Sequence, residues 1–270
     1  MDKKLLIVGG DSWTDPNDTD YVNNNITKIW PSEVCKFLDW DLINTAKGGA
    51  DNLYVAGQII DAIEKNKHKD IVVMALWSQA FRLVPFDLPI AQLTFNIYWP
   101  QLEPPFGPAK DDCQLTLLQL IRLHLKEGVL TEDELIDKVA NSSLRQIYML
   151  DSYCKNLGIP IIHHRALHTL AGIEWLFKSE IDWERRARVL EVCKQNYYYQ
   201  KISKFDNVVG NPDFFGKYSA CFDMYEKYYI SEKEKHPNEA GHQLIAHSFV
   251  NKYIELYEER STAVPSYVYN

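Results

Sequence analysis

Close to its amino terminus the chain carries Leu5-Leu6-Ile7-Val8-Gly9-Gly10-Asp11-Ser12-Trp13. Four apolar residues in succession, without the alternation of a half-exposed strand, call for burial on both faces, as in a parallel sheet covered by helices. The run stops at a glycine pair, whose backbone reaches conformations other residues avoid. A small hydroxyl residue, Ser12, follows at the carboxyl end of the strand, where ligands sit in open α/β sheets. Taken locally, Asp11 and Ser12 equally suit a turn or a helix cap. What they do depends on what the rest of the chain brings beside them.

The same alternation of strand and helix continues. Residues 14–25 have a loop composition of Asp, Asn and Thr. A helix is predicted over 26–38, with a break at Pro31 and a face of Trp30, Val34, Phe37 and Leu38. Leu42-Ile43-Asn44 reads as a second strand, leading to a glycine turn at Gly48-Gly49. Residues 53–66 form a helix with Val55, Ile59, Ile60 and Ile63 as its stripe, and 71–76 a third buried strand ending at Trp77-Ser78-Gln79, with Arg82 shortly after. Residues 84–112 are proline-rich and aperiodic, and the stretch 84–140 reads as an insertion into a single domain spanning 1–270; its first part is either a lid or substrate wall over one end of the sheet or a segment packed on the sheet flank or in a dimer contact. Thr131 and Glu134 match a capping box that starts a long helix ended by Gly158. A strand at 159–162 and a final helix after His236-Pro237 complete the pattern. This order predicts an α/β fold, with right-handed crossovers placing the turns at Ser12, Gly49 and Ser78 along one edge of a parallel sheet.

Composition excludes several classes. A net charge of −8 leaves no positive excess to neutralise phosphates, so no nucleic-acid partner is expected. The 5 cysteines are scattered without a CxxC pair, which suits a reducing compartment. Neither a signal peptide nor an apolar run of membrane-spanning length is visible, so a cytoplasmic protein without a membrane span is expected. Gly9-Gly10 lacks the spacing of a dinucleotide site, and no cofactor is expected. His163, His164 and His168 have metal-like spacing but no accompanying acid cluster; they read as structural, and no metal is expected. His242 reads as a packing or surface residue of the last helix. The 16 Tyr and 7 Trp suit a core, a carbohydrate-facing groove or a protein interface, including one between copies of this chain.

Gly10-Asp11-Ser12 at the first strand end, Asn44 with Gly49 after the second, a polar turn at 77–79 after the third, and His236-Pro237-Asn238 before the last helix together resemble the four blocks of the SGNH (GDSL-like) hydrolases. The resemblance implies a three-layer α/β/α fold with a flavodoxin-like parallel sheet. It also implies a serine esterase that cleaves acyl esters, acetyl esters of sugars among them, through an acyl-enzyme. Ser12 would be the nucleophile and His236 its base, since a serine hydroxyl is a weak nucleophile until an imidazole takes its proton. Gly49 would supply an oxyanion N–H. Where the family places an acid three residues before its His, this chain has Lys233. Glu234 is the favoured substitute, with Glu232 or a backbone carbonyl as alternatives. The family's oxyanion Asn is also replaced, leaving Ser78 or Gln79 for that role. Asp11, Trp13, Trp77 and Arg82 are expected to border a small-molecule or glycan ester. These replacements keep a second reading open: a catalytically degenerate module for glycan binding or assembly.

Overall fold

The computed structural model describes residues 3–78, 82–83, 95–96, 128, 131–165, 183–210, 226–231 and 236–258. Four parallel strands form its sheet: β1 (Leu5–Gly9), β2 (Asp41–Asn44), β3 (Ile71–Trp77) and, after an antiparallel pair of two-residue strands, β4 (Arg82–Leu83) and β5 (Phe95–Asn96), the fourth, β6 (Ile161–Arg165). Their order is β2-β1-β3-β6, all neighbours parallel, with Leu5 opposite both Asp41 and Ile71 and with Val73 opposite Ile161. The chain leaves β1 toward one side and returns on its other side as β3. The topological switch point therefore lies between the carboxyl ends of β1 and β3, where a crevice opens in folds of this kind.

The unbroken apolar runs are explained by helices on both faces. Leu5, Ile7, Ile71, Val73, Ala75 and Ile161 point to one side, against α3 (Asn52–Asn66) and α4 (Glu132–Asn156). Leu6, Val8, Val72, Met74, Leu76 and Ile162 point to the other, against α2 (Trp30–Leu38) and the last helix, α7 (Glu239–Tyr257). A five-residue helix, α1 (Thr19–Asn23), lies between β1 and α2, and α5 (Trp183–Gln195) and α6 (Tyr197–Ile202) pack outside α4. Each large apolar side chain so buried contributes about 1.5–3 kcal/mol. No helix among the described residues is long and apolar enough to cross a membrane.

Local signals set the element ends. Asp51 caps α3 by accepting from the Tyr54 N–H, Thr131 and Glu134 form the reciprocal capping box of α4, and Gly158 follows α4 at φ +68°. Two details differ from the sequence reading. Pro31 does not break a helix begun at 26; it occupies the first turn of α2, which starts at Trp30, where a missing N–H costs nothing. Phe37 is 50% exposed rather than part of the buried face. Of the stretch 84–140, the described residues are 95–96, 128 and 131–140, and residues from 132 onward already belong to α4.

Candidate active site

The turn after β1 is shaped by its aspartates. Asp11 is fully buried; one carboxylate oxygen accepts the Trp13 N–H at 3.1 Å and the other accepts the Ser78 hydroxyl at 2.8 Å. Its backbone carbonyl accepts from Thr14 and Asp15, at 2.9 and 3.1 Å, which folds the chain back on itself and leaves Ser12 half-buried at the bend. Gly10 is required here because a Cβ would lie 2.1 Å from Thr14 Oγ1 and 3.1 Å from the Leu76 carbonyl. The turn after β2 is tied to this one: Asn44 donates to the Thr14 carbonyl at 2.8 Å, and the Gly48 N–H to Asp15 at 2.9 Å. Gly49, at φ +80°, closes that turn at the same sheet edge.

From the far end of the chain, His236 reaches the bend. Its Nε2 lies 2.8 Å from Ser12 Oγ, although 224 positions separate the two residues. Its Nδ1 lies 3.3 Å from Asp20 Oδ2 on α1, and the Tyr21 ring stands at 90° to the imidazole with centroids 5.7 Å apart. In the tautomer with the ring proton on Nδ1, facing the Asp20 carboxylate, Nε2 is the acceptor for the serine hydroxyl. The residues after His236 fix its approach. Asn238 caps α7 by accepting the Gly241 N–H at 3.0 Å, and its amide donates to the carbonyls of Lys227 and Tyr229 at 2.7 and 3.0 Å.

Other expected residues fall into distinct groups. Ser78 is buried; its hydroxyl proton goes to Asp11 at 2.8 Å and its N–H to Asn52 Oδ1 at 2.9 Å. Asp11, Trp13 and Trp77, expected to border substrate, are buried instead. Trp13 is 2% exposed in the α2–α7 core, and Trp77, 1% exposed, donates to His163 Nδ1 at 3.0 Å on the opposite face. Glu234, Glu232 and Gln79 lie outside the described residues, as does the Arg82 side chain. The sequence reading missed Asp20. It belongs to an Asp-rich stretch that looks like loop, and only the spacing Asp11, Asp15, Asp18, Asp20 hints at carboxylates stitching a turn.

Charge and burial shape the surroundings. Burial raises the Asp18 carboxyl, against the pull of its hydrogen bond from the Asp20 N–H and of His236. His242, fully buried in α7 with Tyr21 edge-on at 4.9 Å, is pushed down to about 3 by burial and by His236, which keeps it neutral. Asp18, Asp20 and His236 offer ligand atoms that all lie within 4.8 Å of one another, the grouping among the described residues that could hold a cation. Binding one there would compete with the contact from Nδ1 to Asp20. A hydroxyl within hydrogen-bond reach of an imidazole nitrogen can be activated as a nucleophile when that nitrogen accepts its proton, and the bend brings such a pair together at the topological switch point.

No protein-family model and no curated protein matches the chain. Among solved structures it is similar to a catalytic mutant of an acetylxylan esterase from Geobacillus stearothermophilus, at 17% identity and a TM-score of 0.44, over 96% of this chain and 97% of that one. It is similar to an alpha/beta hydrolase enzyme from the metagenome of Lake Arreo, at 16% identity and a TM-score of 0.41, over 93% and 94%. It is also similar to a G-D-S-L family lipolytic protein from Desulfitobacterium hafniense, at 11% identity and a TM-score of 0.35, over 93% and 99%.

Proposed function

We propose that this chain is a serine ester hydrolase of the SGNH type, with Ser12 as nucleophile and His236 as general base. The observation that carries the reading is the 2.8 Å contact between Ser12 Oγ and His236 Nε2 at the carboxyl edge of the sheet. In the reaction, Ser12 Oγ attacks the acyl carbonyl as its proton passes to Nε2. The tetrahedral intermediate collapses, its alcohol leaving with that proton, and the acyl group stays on Ser12. Water then attacks the acyl-enzyme, again giving a proton to Nε2; the carboxylic acid departs and Ser12 recovers its proton.

The oxyanion of each intermediate needs donors held in place beforehand. The Ser12 and Gly49 N–H groups are the candidates from the backbone. Because the Ser78 hydroxyl donates to Asp11, the side-chain donor falls to Gln79. Glu234, the acid expected from the sequence, is not assigned a role; the carboxylate beside the imidazole is Asp20, its Oδ2 3.3 Å from Nδ1. Arg82 is kept as a substrate contact.

The substrate is assigned as an acyl ester, acetyl esters of sugars being one class within it. The aromatic richness that favours sugars is, among the described residues, partly core: Tyr21, Trp13, Trp30, Trp77, Phe249 and Tyr253 are all buried. The test is hydrolysis of a short-chain nitrophenyl ester together with labelling by a fluorophosphonate. Wild type should hydrolyse the ester and take the label on Ser12, and Ser12→Ala should do neither while unfolding at the same temperature. Equal hydrolysis by wild type and Ser12→Ala overturns the assignment. A folded wild type that neither turns over the ester nor takes the label supports the non-catalytic module instead.

A further inference from the structure

We infer that Asp20 is the carboxylate that positions His236, so that nucleophile and acid come from one short segment and only the base comes from the other end of the chain. The inference rests on the Ser12–His236 reading and deepens it. Asp20 Oδ2 is 3.3 Å from His236 Nδ1, the nitrogen opposite the one facing Ser12. An acceptor there holds the proton on Nδ1, directs the Nε2 lone pair at the Ser12 hydroxyl, and stabilises the imidazolium formed when the serine proton arrives.

The local sequence explains how Asp20 is delivered. From Ser12 onward, side-chain and backbone oxygens of the aspartates satisfy N–H groups two to four residues ahead. Asp11 takes Trp13, Thr14 and Asp15; Asp15 takes Asn17 and Asp18; Asp18 takes Asp20. This succession of Asx turns winds the chain from the nucleophile into α1, whose N-cap is Asp18. The next residue, Tyr21, is fully buried and packs its ring edge-on against both His236 and His242. Beyond it, Lys28 and Thr27 bond Glu239 in the first turn of α7, three residues past His236. The segment from Ser12 to α2 is thus fastened to the very part of the chain that carries the base.

Asp20 is well placed for this role without being a folding element. Its side chain is 35% exposed, and the Asx turn uses its backbone N–H rather than its carboxylate. Asp20→Asn keeps the size but removes the charge and replaces one acceptor oxygen with an NH2 donor, so the carboxylate is no longer there to hold the proton on Nδ1. The variants Asp20→Asn, Asp20→Glu and Glu234→Gln are compared with wild type for kcat and KM on the nitrophenyl ester and for the rate of fluorophosphonate labelling. The strongly downfield proton resonance of a carboxylate-bound imidazole Nδ1–H, assigned by its loss in His236→Gln, is followed alongside.

In Asp20→Asn, kcat and the labelling rate should fall together, by between about 10-fold and the about 10⁴-fold seen for a buried triad carboxylate, with KM little changed. The downfield resonance should vanish, Asp20→Glu should recover part of the rate, and Glu234→Gln should keep both rate and resonance. Full activity and an intact resonance in Asp20→Asn overturn the inference, and so does their loss in Glu234→Gln alone. Activity abolished by a chelator and restored by a divalent cation also overturns it, because Asp20 would then be a metal ligand. In each of these cases an inactive Ser12→Ala still leaves the hydrolase reading standing. Should Asp20→Asn fail to fold, the wild-type resonance and the Glu234→Gln arm decide alone.

Discussion

Lowering the pH from about 7 to about 5 should cost this protein a large part of its stability, because it buries histidines that must stay neutral. His164 and His242 are both held down to about 3, His164 by burial and the neighbouring Arg165, and His242 by burial and His236. Both free and unfolded imidazoles titrate near 6.5. The sign follows from that difference. Between about 6.5 and about 3 the unfolded chain binds a proton at each site and the folded chain does not, so stability falls as pH falls, by about 1.4 kcal/mol per pH unit per histidine. At about pH 5 the loss is about 2 kcal/mol for each and about 4 kcal/mol together, against a total of about 5–15 kcal/mol for a typical domain.

His163 acts in the same direction. Burial pushes it down against the pull of Asp151, and its Nδ1 already accepts the Trp77 indole N–H at 3.0 Å, so a second ring proton would meet a donor. Burial pushes the Asp151 carboxyl up, but hydrogen bonds from His163, Asn207 and Lys155 hold it below its usual value, so its own loss comes only at lower pH. Urea unfolding at intervals between about pH 7.5 and about pH 5 measures the effect, with histidine titrations by NMR on the same samples. The midpoint should move steadily down, and His242→Gln should remove about half of the two-residue loss. A flat midpoint over that range, or a buried histidine titrating near its free value, refutes the reasoning.

Two substitutions test how the strand ends are joined. Asn52→Ala strips the partner of the buried Ser78 N–H and of Ser143, whose hydroxyl bonds Asn52, and should destabilise the fold by about 1–3 kcal/mol in urea titration. Gly10→Ala forces the Thr14 hydroxyl out of its 3.2 Å bond from the Trp30 indole, and should cost about 1–3 kcal/mol and lower ester turnover more than Asn52→Ala does.

The sheet was legible because its signal is repeated. Leu5 to Val8 and Ile71 to Leu76 are apolar without alternation, and a strand covered by helices on both faces accounts for that. The long α4 was equally readable, since Thr131, Glu134 and Gly158 mark both its ends. The pair Ser12 and His236 could be picked out because each stands at an element boundary with a recognisable neighbour. Asp20 could not. Its helix is five residues long, too short for a periodic stripe, and its carboxylate differs from those of Asp15 and Asp18 only by where the Asx turns point it. Nor does sequence reveal that the Ser78 hydroxyl turns toward Asp11, or that Trp13 and Trp77 lie in the core, because both depend on the path of the turns in space.

The two sides of the switch point are held by different kinds of contact. Behind Ser12, a buried chain of hydrogen bonds runs from Asp11 at the end of β1 to Ser78 at the end of β3, then to Asn52 at the start of α3 and Ser143 within α4. Asp11, Ser78, Asn52 and Ser143 are all nearly inaccessible to water, so the floor of the switch point is braced by groups with no competing solvent partner. The front is held by half-exposed contacts: Asp20 with His236, and Lys28 with Glu239, whose carboxyl that lysine keeps below its usual value. Exposed pairs of this kind are worth little individually and are screened by salt. The floor beneath the turn that carries Ser12 is thus held by buried hydrogen bonds, and the side that carries His236 by contacts open to solvent. Salt should therefore loosen the side that carries His236 before it disturbs the one beneath Ser12.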